Sequence, residues 1–341
     1  MEYTPQESVE AATTCLRAEH PNGGSIMPIL LGSPGSGKTT ICKQIADNIG
    51  LELNVLQVLC WDYCDSNGIP HVVEGFTQFV PPKTFFPDKP TLIVLDEFGQ
   101  LPAKMKQLFM QPVIERVVAG KRIPDHVHFL ATANRKEDKA GVESFPTNIR
   151  NRMAWISVRI DAGEWVGWAH QSGVRPEVIS AVSAHPELLD GFDPSSPGMA
   201  FSTPRSIEYL SRVLDASKES KPKATQALAA SIVGQEAAAK FIAHIKYQAE
   251  ILSPEECFEK PDEASSSELG AIHAMITSCV SFVARDKKVS RAKLDKFVGF
   301  VEALSPALGI AAIQQLKAAR PEAMRNKSVL GFAKKNLDIL T

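Results

Sequence analysis

The chain has 341 residues and a net charge of -2, with 44% hydrophobic and 22% charged residues, as expected for a globular protein of about two domains. The small net charge provides no overall basic field, which argues against nucleic acid as a partner. No apolar run approaches the roughly 20 residues of a membrane span, and the acidic, polar N-terminus lacks signal-peptide features, so no membrane partner and a cytoplasmic location are the default expectations.

The first half of the chain has the pattern of an α/β protein. Residues 5–19 predict an N-terminal helix with one apolar face. Residues 26–160 then alternate short apolar runs with helical stretches, which predicts a mostly parallel sheet covered by helices. The candidate strands read IMPILL, LNVLQVL, TLIVLDEF, VHFLATAN and MAWISVRI.

The stretch GSPGSGKT follows the first candidate strand and precedes a helical segment. Gly32, Gly37, Lys38 and Thr39 fit the phosphate-binding pattern G-x-x-x-x-G-K-[ST]. Glycines allow the backbone to turn tightly and aim N–H groups at an anion, and the helix N-terminus adds its positive dipole end. We therefore predict a nucleotide phosphate site, with Lys38 on the β- and γ-phosphates and Thr39 on Mg²⁺.

Two short hairpins interrupt the strand–helix alternation. HVVEGFTQFVPP favours a hairpin around Glu74 and Gly75, and VVAGKRIP favours another that turns at Gly120. Packing against its own segment is the favoured interpretation for the two phenylalanines of the first hairpin. Contact with a substrate is the alternative for Phe76, Phe79, Lys121 and Arg122.

Acidic residues follow the third candidate strand directly. TLIVLDEF is a continuous apolar run that ends in Asp96 and Glu97, as in a buried parallel strand whose carboxyl end faces a ligand. Asp96 can hold the hydration shell of Mg²⁺, and Glu97 can take a proton from an attacking water. This pair favours hydrolysis over phosphoryl transfer to another substrate; an ordinary strand end with a solvated acid is the alternative.

Further polar residues occur at defined points downstream. Asn134 ends the strand VHFLATAN, where its amide can position a water beside the γ-phosphate, with a turn-forming asparagine as the alternative. Arg150 and Arg152 in FPTNIRNRM can stabilise charge on a phosphoryl group, in cis or from a neighbouring subunit. Arg205 lies in the first turn of a helix, where a cation opposes the dipole, which suggests an anionic partner. A surface salt bridge is the alternative for each arginine.

From Asp161 onward the patterns are helical, and residues 253–268 are rich in proline, serine and acid, which indicates an exposed linker or loop. The predicted organisation is an N-terminal helix, an α/β domain, an α-helical domain, the linker or loop, and a C-terminal helical region. The corresponding ranges are 1–25, 26–160, 161–252, 253–268 and 269–341.

The motif series resembles the AAA+ ATPases. It consists of GSPGSGKT, IVLDEF, ATAN, the arginine in NIRNRM and the arginine in STPRS, in that order. Within that family the chain looks most like the MoxR-type group, through NGIPHVVEG with FVPPKTFFP, VVAGKRIPDH, EWVGWAHQSGVRPEVI, HPELLDGFDP and FSTPRSIEYLSRVL. The resemblance covers about residues 26–215 well, and it implies an AAA+ parallel sheet followed by a small all-α lid and further helices.

The resemblance also implies individual roles. Asp96 supports the metal together with Thr39, Glu97 is the catalytic base and Asn134 is sensor 1. Arg152 best matches the trans-acting arginine finger, with Arg150 as its rival, and Arg205 matches sensor 2 on the lid. ATP and Mg²⁺ are the implied cofactors. The implied nucleotide-binding segment is Gly32, Ser33, Pro34, Gly35, Ser36, Gly37, Lys38, Thr39 and Thr40.

The resemblance implies a homo-oligomeric ring, usually a hexamer, that remodels or matures a protein client as a MoxR-like chaperone. A partner with a von Willebrand factor A domain is implied only by the same resemblance. An AAA+ nucleic-acid motor or loader is the alternative function. Three further hypotheses are a small-molecule kinase, a GTPase and a non-hydrolysing scaffold. NRKED does not fit the guanine-reading N-K-x-D, and an intact Glu97, Asn134 and Arg152 argue against the scaffold.

Overall fold

The computed structural model describes residues 2–138, 141, 145–196, 198–217, 222–248, 251–286 and 289–336. The chain divides into two compact units. The first is Met1–Ile160 with Asp193–Ser196, and the second is Asp161–Phe192 with Pro197–Thr341. Within the described ranges the strands lie in the first unit, whereas the second unit is helical. None of the described helices combines the length and apolarity of a membrane span.

The strands form one large sheet and two hairpins. Six strands make a parallel sheet with the order β1-β10-β2-β9-β6-β3, and β4–β5 and β7–β8 are antiparallel pairs. The strands are β1 (Glu2–Tyr3), β2 (Pro28–Leu31), β3 (Glu52–Gln57), β4 (Ile69–Val73), β5 (Phe76–Val80), β6 (Thr91–Asp96), β7 (Val117–Val118), β8 (Lys121–Arg122), β9 (Val127–Ala133) and β10 (Ala154–Val158).

The central strands are buried on both faces because their apolar side chains alternate between two cores. On β6, Leu92 and Val94 face a core that includes α1 (Pro5–Arg17) and α2 (Lys38–Ile49). Ile93 and Leu95 face a second core on the other side of the sheet. The predicted parallel sheet covered by helices is therefore confirmed. Double burial leaves the strand ends as the positions where polar side chains can be placed without a desolvation cost.

Short helices complete the first unit, and longer helices form the second. Those of the first unit are α3 (Tyr63–Asn67), α4 (Ala103–Leu108) and α5 (Thr147–Arg150). Those of the second are α6 (Ala162–Gln171), α7 (Pro176–Ala184), α8 (Pro204–Ala216), α9 (Pro222–Val233), α10 (Gln235–Gln248), α11 (Pro254–Glu259), α12 (Pro261–Ser265), α13 (Leu269–Ala284), α14 (Arg291–Ala303), α15 (Pro306–Ala319) and α16 (Lys327–Lys335).

Both predicted hairpins are present, but one expectation about the first is wrong. The β4–β5 turn uses Glu74 and Gly75, both with positive φ, which matches the twist of a two-residue hairpin. Phe76 and Phe79 are 75% and 51% exposed, so they do not pack against their own segment as we expected. A two-stranded ribbon has no layer behind it, and its apolar side chains remain in solvent.

Residues 253–268 are not an open linker. They form α11 and α12, and α11 begins with a capping box in which the Ser253 and Glu256 side chains bond each other's backbone N–H groups. Cys257 and Ala264 are fully buried in a helical core that also contains residues from α13 to α16. The segment folds because its few apolar residues recur at helical spacing, which a composition rich in proline, serine and acid conceals.

A partly buried histidine, His170, joins α6 to α13. His170 Nδ1 lies 3.1 Å from the Ser281 hydroxyl oxygen, and its Nε2 atom has no hydrogen-bond partner among the described residues. Burial, and secondarily the Arg285 charge, lowers the pKa of His170 to about 4. The folded protein therefore holds this imidazole neutral at pH values where the unfolded chain protonates it.

We predict that this histidine makes the helical unit sensitive to acid. The stability it contributes is fully present above the unfolded pKa of about 6.5 and is lost as the pH falls toward about 4, at most about 3 kcal/mol. His170→Gln should reduce the shift in urea midpoint between pH 7 and pH 5, followed by helical circular dichroism. The exposed His71→Gln is the control. An unchanged pH slope in His170→Gln would contradict the assignment.

Candidate functional site

The loop between β2 and α2 has a backbone that only glycine adopts readily. Gly35 and Gly37 have φ values of 76° and 92°. A Cβ atom on Gly32 would lie 2.9 Å from the Ser36 hydroxyl oxygen, so this position lacks room for a side chain. Gly37 is the N-cap of α2 and supplies no side-chain cap. The first N–H groups of α2 are therefore left for an anion.

The Lys38 ammonium lies inside this loop. Its Nζ atom donates to the carbonyl oxygens of Gly32 and Ser33, each at 2.9 Å. It also donates to Asn134 Oδ1 at 3.0 Å. The Gly32 N–H in turn donates to the Ala133 carbonyl oxygen at 3.2 Å. These contacts bring the predicted phosphate loop and the end of β9 together, although they are 96 residues apart in sequence.

The Asp96 carboxylate is held between the two strands that flank β6. Its Oδ1 atom accepts a hydrogen bond from the Thr132 hydroxyl at 2.6 Å, and its Oδ2 atom accepts one from Gln57 Nε2 at 3.0 Å. Gln57 is the register partner of Asp96 on β3. Both carboxylate oxygens therefore have a fixed partner, which defines the orientation of the carboxylate at the sheet edge.

Glu97 follows Asp96 and has a backbone conformation that is unusual for a residue other than glycine. Its φ is 56° and its ψ is 28°, in the left-handed region. Its backbone N–H donates to the Thr132 hydroxyl oxygen at 3.0 Å. Glu97 is partly buried, and its carboxylate has no hydrogen bond or ion pair among the described residues. It is therefore available to accept a proton.

The charges of Asp96 and Lys38 both affect the pKa of the buried Cys42 thiol. Burial raises the pKa of Cys42 on α2, the Asp96 carboxylate raises it further, and the Lys38 ammonium opposes them. Both charges therefore act on the same side chain. Together with the bonds of Thr132 and Asn134 on β9, this places the Lys38 loop and the acidic pair at one edge of the sheet.

The first two predicted arginines are exposed and are not joined to that edge. Among the described residues, neither Arg150 nor Arg152 has an ion pair, and no contact joins either to Lys38. The Trp155 indole N–H donates to the Arg150 carbonyl oxygen at 2.8 Å, and the Phe145 ring packs on Trp155 with 4.8 Å between centroids. The backbone is thus anchored while the guanidinium groups face solvent.

Arg205 belongs to the second unit. It occupies the first turn of α8, which begins with Pro204 and has Thr203 as its N-cap, as expected from the sequence. Its side chain is exposed, and the described part of the chain gives it no ion pair. An unpaired cation here opposes the helix dipole. The salt bridge considered as an alternative is therefore not observed for any of the three arginines within the part of the chain that the structure describes.

Residues 28–158 match the family model described as ATPase family associated with various cellular activities (AAA). This segment, which covers less than half of the chain, is thus similar to an AAA ATPase domain. The match spans every strand from β2 to β10, together with the Lys38 loop, the acidic pair, Arg150 and Arg152. ATP hydrolysis is the general activity of this family.

Solved structures show more distant similarity. NtrX from Brucella abortus is 13% identical over 84% of this chain and 66% of its own, with a TM-score of 0.39, so this chain spans just under two thirds of that protein. A proline-to-glycine mutant of RuvB from Thermotoga maritima is 14% identical over 76% of this chain and 79% of its own, with a TM-score of 0.38. No curated protein matches significantly.

The residues at the sheet edge fit a nucleotide with its metal. The left-handed glycines, the uncapped start of α2 and the Lys38 ammonium suit phosphate oxygens. The buried Ser36 hydroxyl has no partner among the described residues and adds a donor to the loop. A threonine hydroxyl and a carboxylate, Thr39 and Asp96, are the oxygen ligands that Mg²⁺ prefers. The segment that matches the AAA family model thus holds oxygen ligands for a metal and donors for phosphate at one sheet edge.

Two site residues are missing from the sequence-based prediction, Thr132 and Gln57. Both bond Asp96 across neighbouring strands. Thr132 is 1% exposed and directly follows the apolar run Phe129–Ala131, and a polar residue at such a position is a detectable signal. The sequence does not predict that Thr132 bonds Asp96, because the order of β9 and β6 in the sheet depends on tertiary structure.

We predict that Lys38→Ala weakens ATP binding by about 10–100-fold, because a charged hydrogen-bond donor to phosphate is removed. Equilibrium titration with a fluorescent ATP analogue measures this. Lys43→Ala is the matched control, since Lys43 is exposed on the same helix. Wild-type affinity in Lys38→Ala, or an equal loss in Lys43→Ala, would contradict the assignment of the phosphate loop.

Proposed function

We propose that this chain is a ring-forming ATPase that couples ATP hydrolysis to the remodelling or maturation of a protein client, as a MoxR-like chaperone. One observation carries the proposal. Lys38, Asn134, Asp96 and Glu97 meet at one sheet edge, and the Glu97 carboxylate has no partner among the described side chains. This arrangement supplies a phosphate anchor and a base in the same place, inside an AAA ATPase domain.

The proposed reaction is attack of water on the γ-phosphorus of ATP. The loop from Gly32 to Thr40 and the Lys38 ammonium hold the phosphates. Glu97 accepts the proton of the attacking water while the new P–O bond forms and the bond to the β-phosphate oxygen breaks, giving ADP and phosphate. Asn134 orients the water. Thr39 and Asp96 would hold Mg²⁺, which would supply neutralisation of the phosphate charge.

Hydrolysis is favoured over transfer of the phosphoryl group to a metabolite. A transferase must exclude water from the γ-phosphate, whereas Glu97 offers a carboxylate that can activate it. The left-handed backbone of Glu97 is a conformational cost of about 1–3 kcal/mol, of the kind that persists where function requires it. We therefore assign ATP hydrolase activity to the α/β unit.

Two arginines support a homo-oligomer in which the site is completed by a neighbour. Arg152 is our candidate for a finger that reaches the γ-phosphate of the adjacent subunit, and Arg150 is its rival. Both are exposed, and no ion pair among the described residues occupies them. A hexamer is the ring size that we propose, with Arg205 as the cation offered by the helical unit to ATP.

The protein client is proposed to meet the exposed aromatic hairpin. Phe76 and Phe79 on β4–β5 expose apolar surface that a water-soluble ribbon does not need. Lys121 and Arg122 on the second hairpin are also exposed. The MoxR-like motifs further support a partner with a von Willebrand factor A domain.

We predict that Glu97→Gln preserves ATP binding but lowers the rate of hydrolysis on the order of 10²–10⁴-fold, because the base is lost. Phosphate release and nucleotide titration measure the two effects separately. Glu115→Gln is the control, since Glu115 is exposed on the same unit. The Glu97→Gln protein should also retain its client in ATP during a pull-down. If Glu97→Gln hydrolysed ATP at the wild-type rate, Glu97 would not be the base.

We predict that Arg152→Ala and Lys38→Ala, each inactive alone, recover part of the ATPase activity when mixed. Such mixed rings contain interfaces with one intact phosphate loop and one intact finger. Steady-state ATPase rates across mixing ratios measure the recovery. The double variant Lys38→Ala/Arg152→Ala mixed with Lys38→Ala is the control, since no interface is then complete. If Arg150→Ala complements and Arg152→Ala does not, the finger is Arg150.

A further inference from the structure

We propose that Thr132 is a positioning residue for hydrolysis, which sets the orientation of Asp96 and Glu97 relative to each other. This inference rests on the proposed ATPase function and deepens it. Thr132 does not contact the predicted phosphate loop through any described hydrogen bond, so its role is exerted through the acidic pair.

A single hydroxyl joins the two acidic residues. Thr132 Oγ1 donates to Asp96 Oδ1 at 2.6 Å and accepts from the Glu97 N–H at 3.0 Å. The short first distance is typical of a hydroxyl bonded to an ionised carboxylate. The side chain is 1% exposed, so water does not compete strongly for these bonds.

The direction of both bonds follows from the groups involved. An ionised carboxylate only accepts, and a backbone N–H only donates. The one hydroxyl proton must therefore point to Asp96, and the oxygen lone pairs must face Glu97. If the hydroxyl rotated so that its proton pointed toward the Glu97 N–H, both hydrogen bonds would be lost. The geometry thus depends on a hydroxyl at this position and not merely on a polar atom.

The sheet supplies the precise placement of Thr132. β6 and β9 are parallel neighbours, and Leu95 is the register partner of Ala131. The following residues, Asp96 and Thr132, consequently lie side by side at the end of the ladder. Gln57 on β3 holds the other Asp96 oxygen. The carboxylate is therefore fixed from both flanking strands.

The bond to Glu97 acts on a strained residue. At a φ of 56° its Cβ is crowded, and relaxation to a negative φ would change the direction of the Cα–Cβ bond. The N–H bond to Thr132 opposes that relaxation. Loss of the hydroxyl also leaves a poorly satisfied N–H close to the sheet. We therefore expect the Glu97 carboxylate to lose its alignment with the water when Thr132 is changed.

The test compares Thr132→Val, which keeps the shape and removes the hydroxyl, with Thr132→Ser, which keeps the hydroxyl. We expect Thr132→Val to lower kcat by about 10–100-fold, as typical for loss of a group that orients a functional carboxylate. Its Kd for ATP should change by less than about threefold, since the Lys38 loop is untouched. Thr132→Ser should keep kcat within about threefold of wild type.

A double-mutant cycle separates positioning from simple stability. If Thr132 acts through the base, Thr132→Val should cost little further activity in a Glu97→Gln background. Full additivity of the two losses would overturn the proposal. So would wild-type kcat in Thr132→Val, or a Thr132→Ser variant that is as slow as Thr132→Val. If Thr132→Val does not fold, Thr132→Cys replaces it, and wild-type kcat in that variant overturns the proposal equally.

Failure of this inference can be told apart from failure of the proposed function. If Glu97→Gln hydrolyses ATP like wild type, the proposed base is wrong. If Glu97→Gln is inactive while Thr132→Val is normal, the ATPase assignment stands and only the positioning role of Thr132 fails. Both variants are measured in the full chain with ATP and Mg²⁺.

Discussion

Neighbouring parallel strands end on the same side of their sheet, and the whole candidate site depends on this constraint. β2, β9 and β6 are adjacent, so the residues after them must converge although the chain separates them widely. Lys38 reaches the end of β9 through Asn134, and β9 reaches the end of β6 through Thr132. A change in strand order would leave every motif intact in sequence and separate the groups in space.

The same constraint explains where polar groups are permitted. The interior of the sheet is apolar on both faces, and a buried carboxylate there would lack compensation. At the strand ends, Asp96 is partly exposed and has hydroxyl and amide partners on either side. Glu97 takes a left-handed backbone immediately after the last ladder residue. The site is thus rigid on the protein side and open on the solvent side, as a site that binds phosphate and water requires.

The arginines follow a different logic. Arg150 is the last residue of α5, and Arg152 follows it closely. The Trp155 indole N–H bonds the Arg150 carbonyl oxygen, and both guanidinium groups are in solvent. An isolated chain gains little from two such cations, because an exposed charge contributes little to stability. An anion brought to them would give them a role, which is why we propose that they act at an interface between subunits. Phe76 and Phe79 on the β4–β5 hairpin are likewise exposed.

The local features of this protein follow from short stretches of its sequence. The phosphate loop, the strand that ends in Asp96 and Glu97, both hairpin turns and the cap of α8 each depend on residues close together in the chain, where spacing and conformational preference are sufficient. Residues 253–268 were harder, because a polar composition does not exclude helices whose few apolar residues are buried. Only the tertiary structure placed Gln57 and Thr132 on Asp96 and left Phe76 and Phe79 exposed. Those outcomes depend on which strands are neighbours and on what lies behind a hairpin, and strand order is a property of long-range packing that no short stretch of sequence encodes.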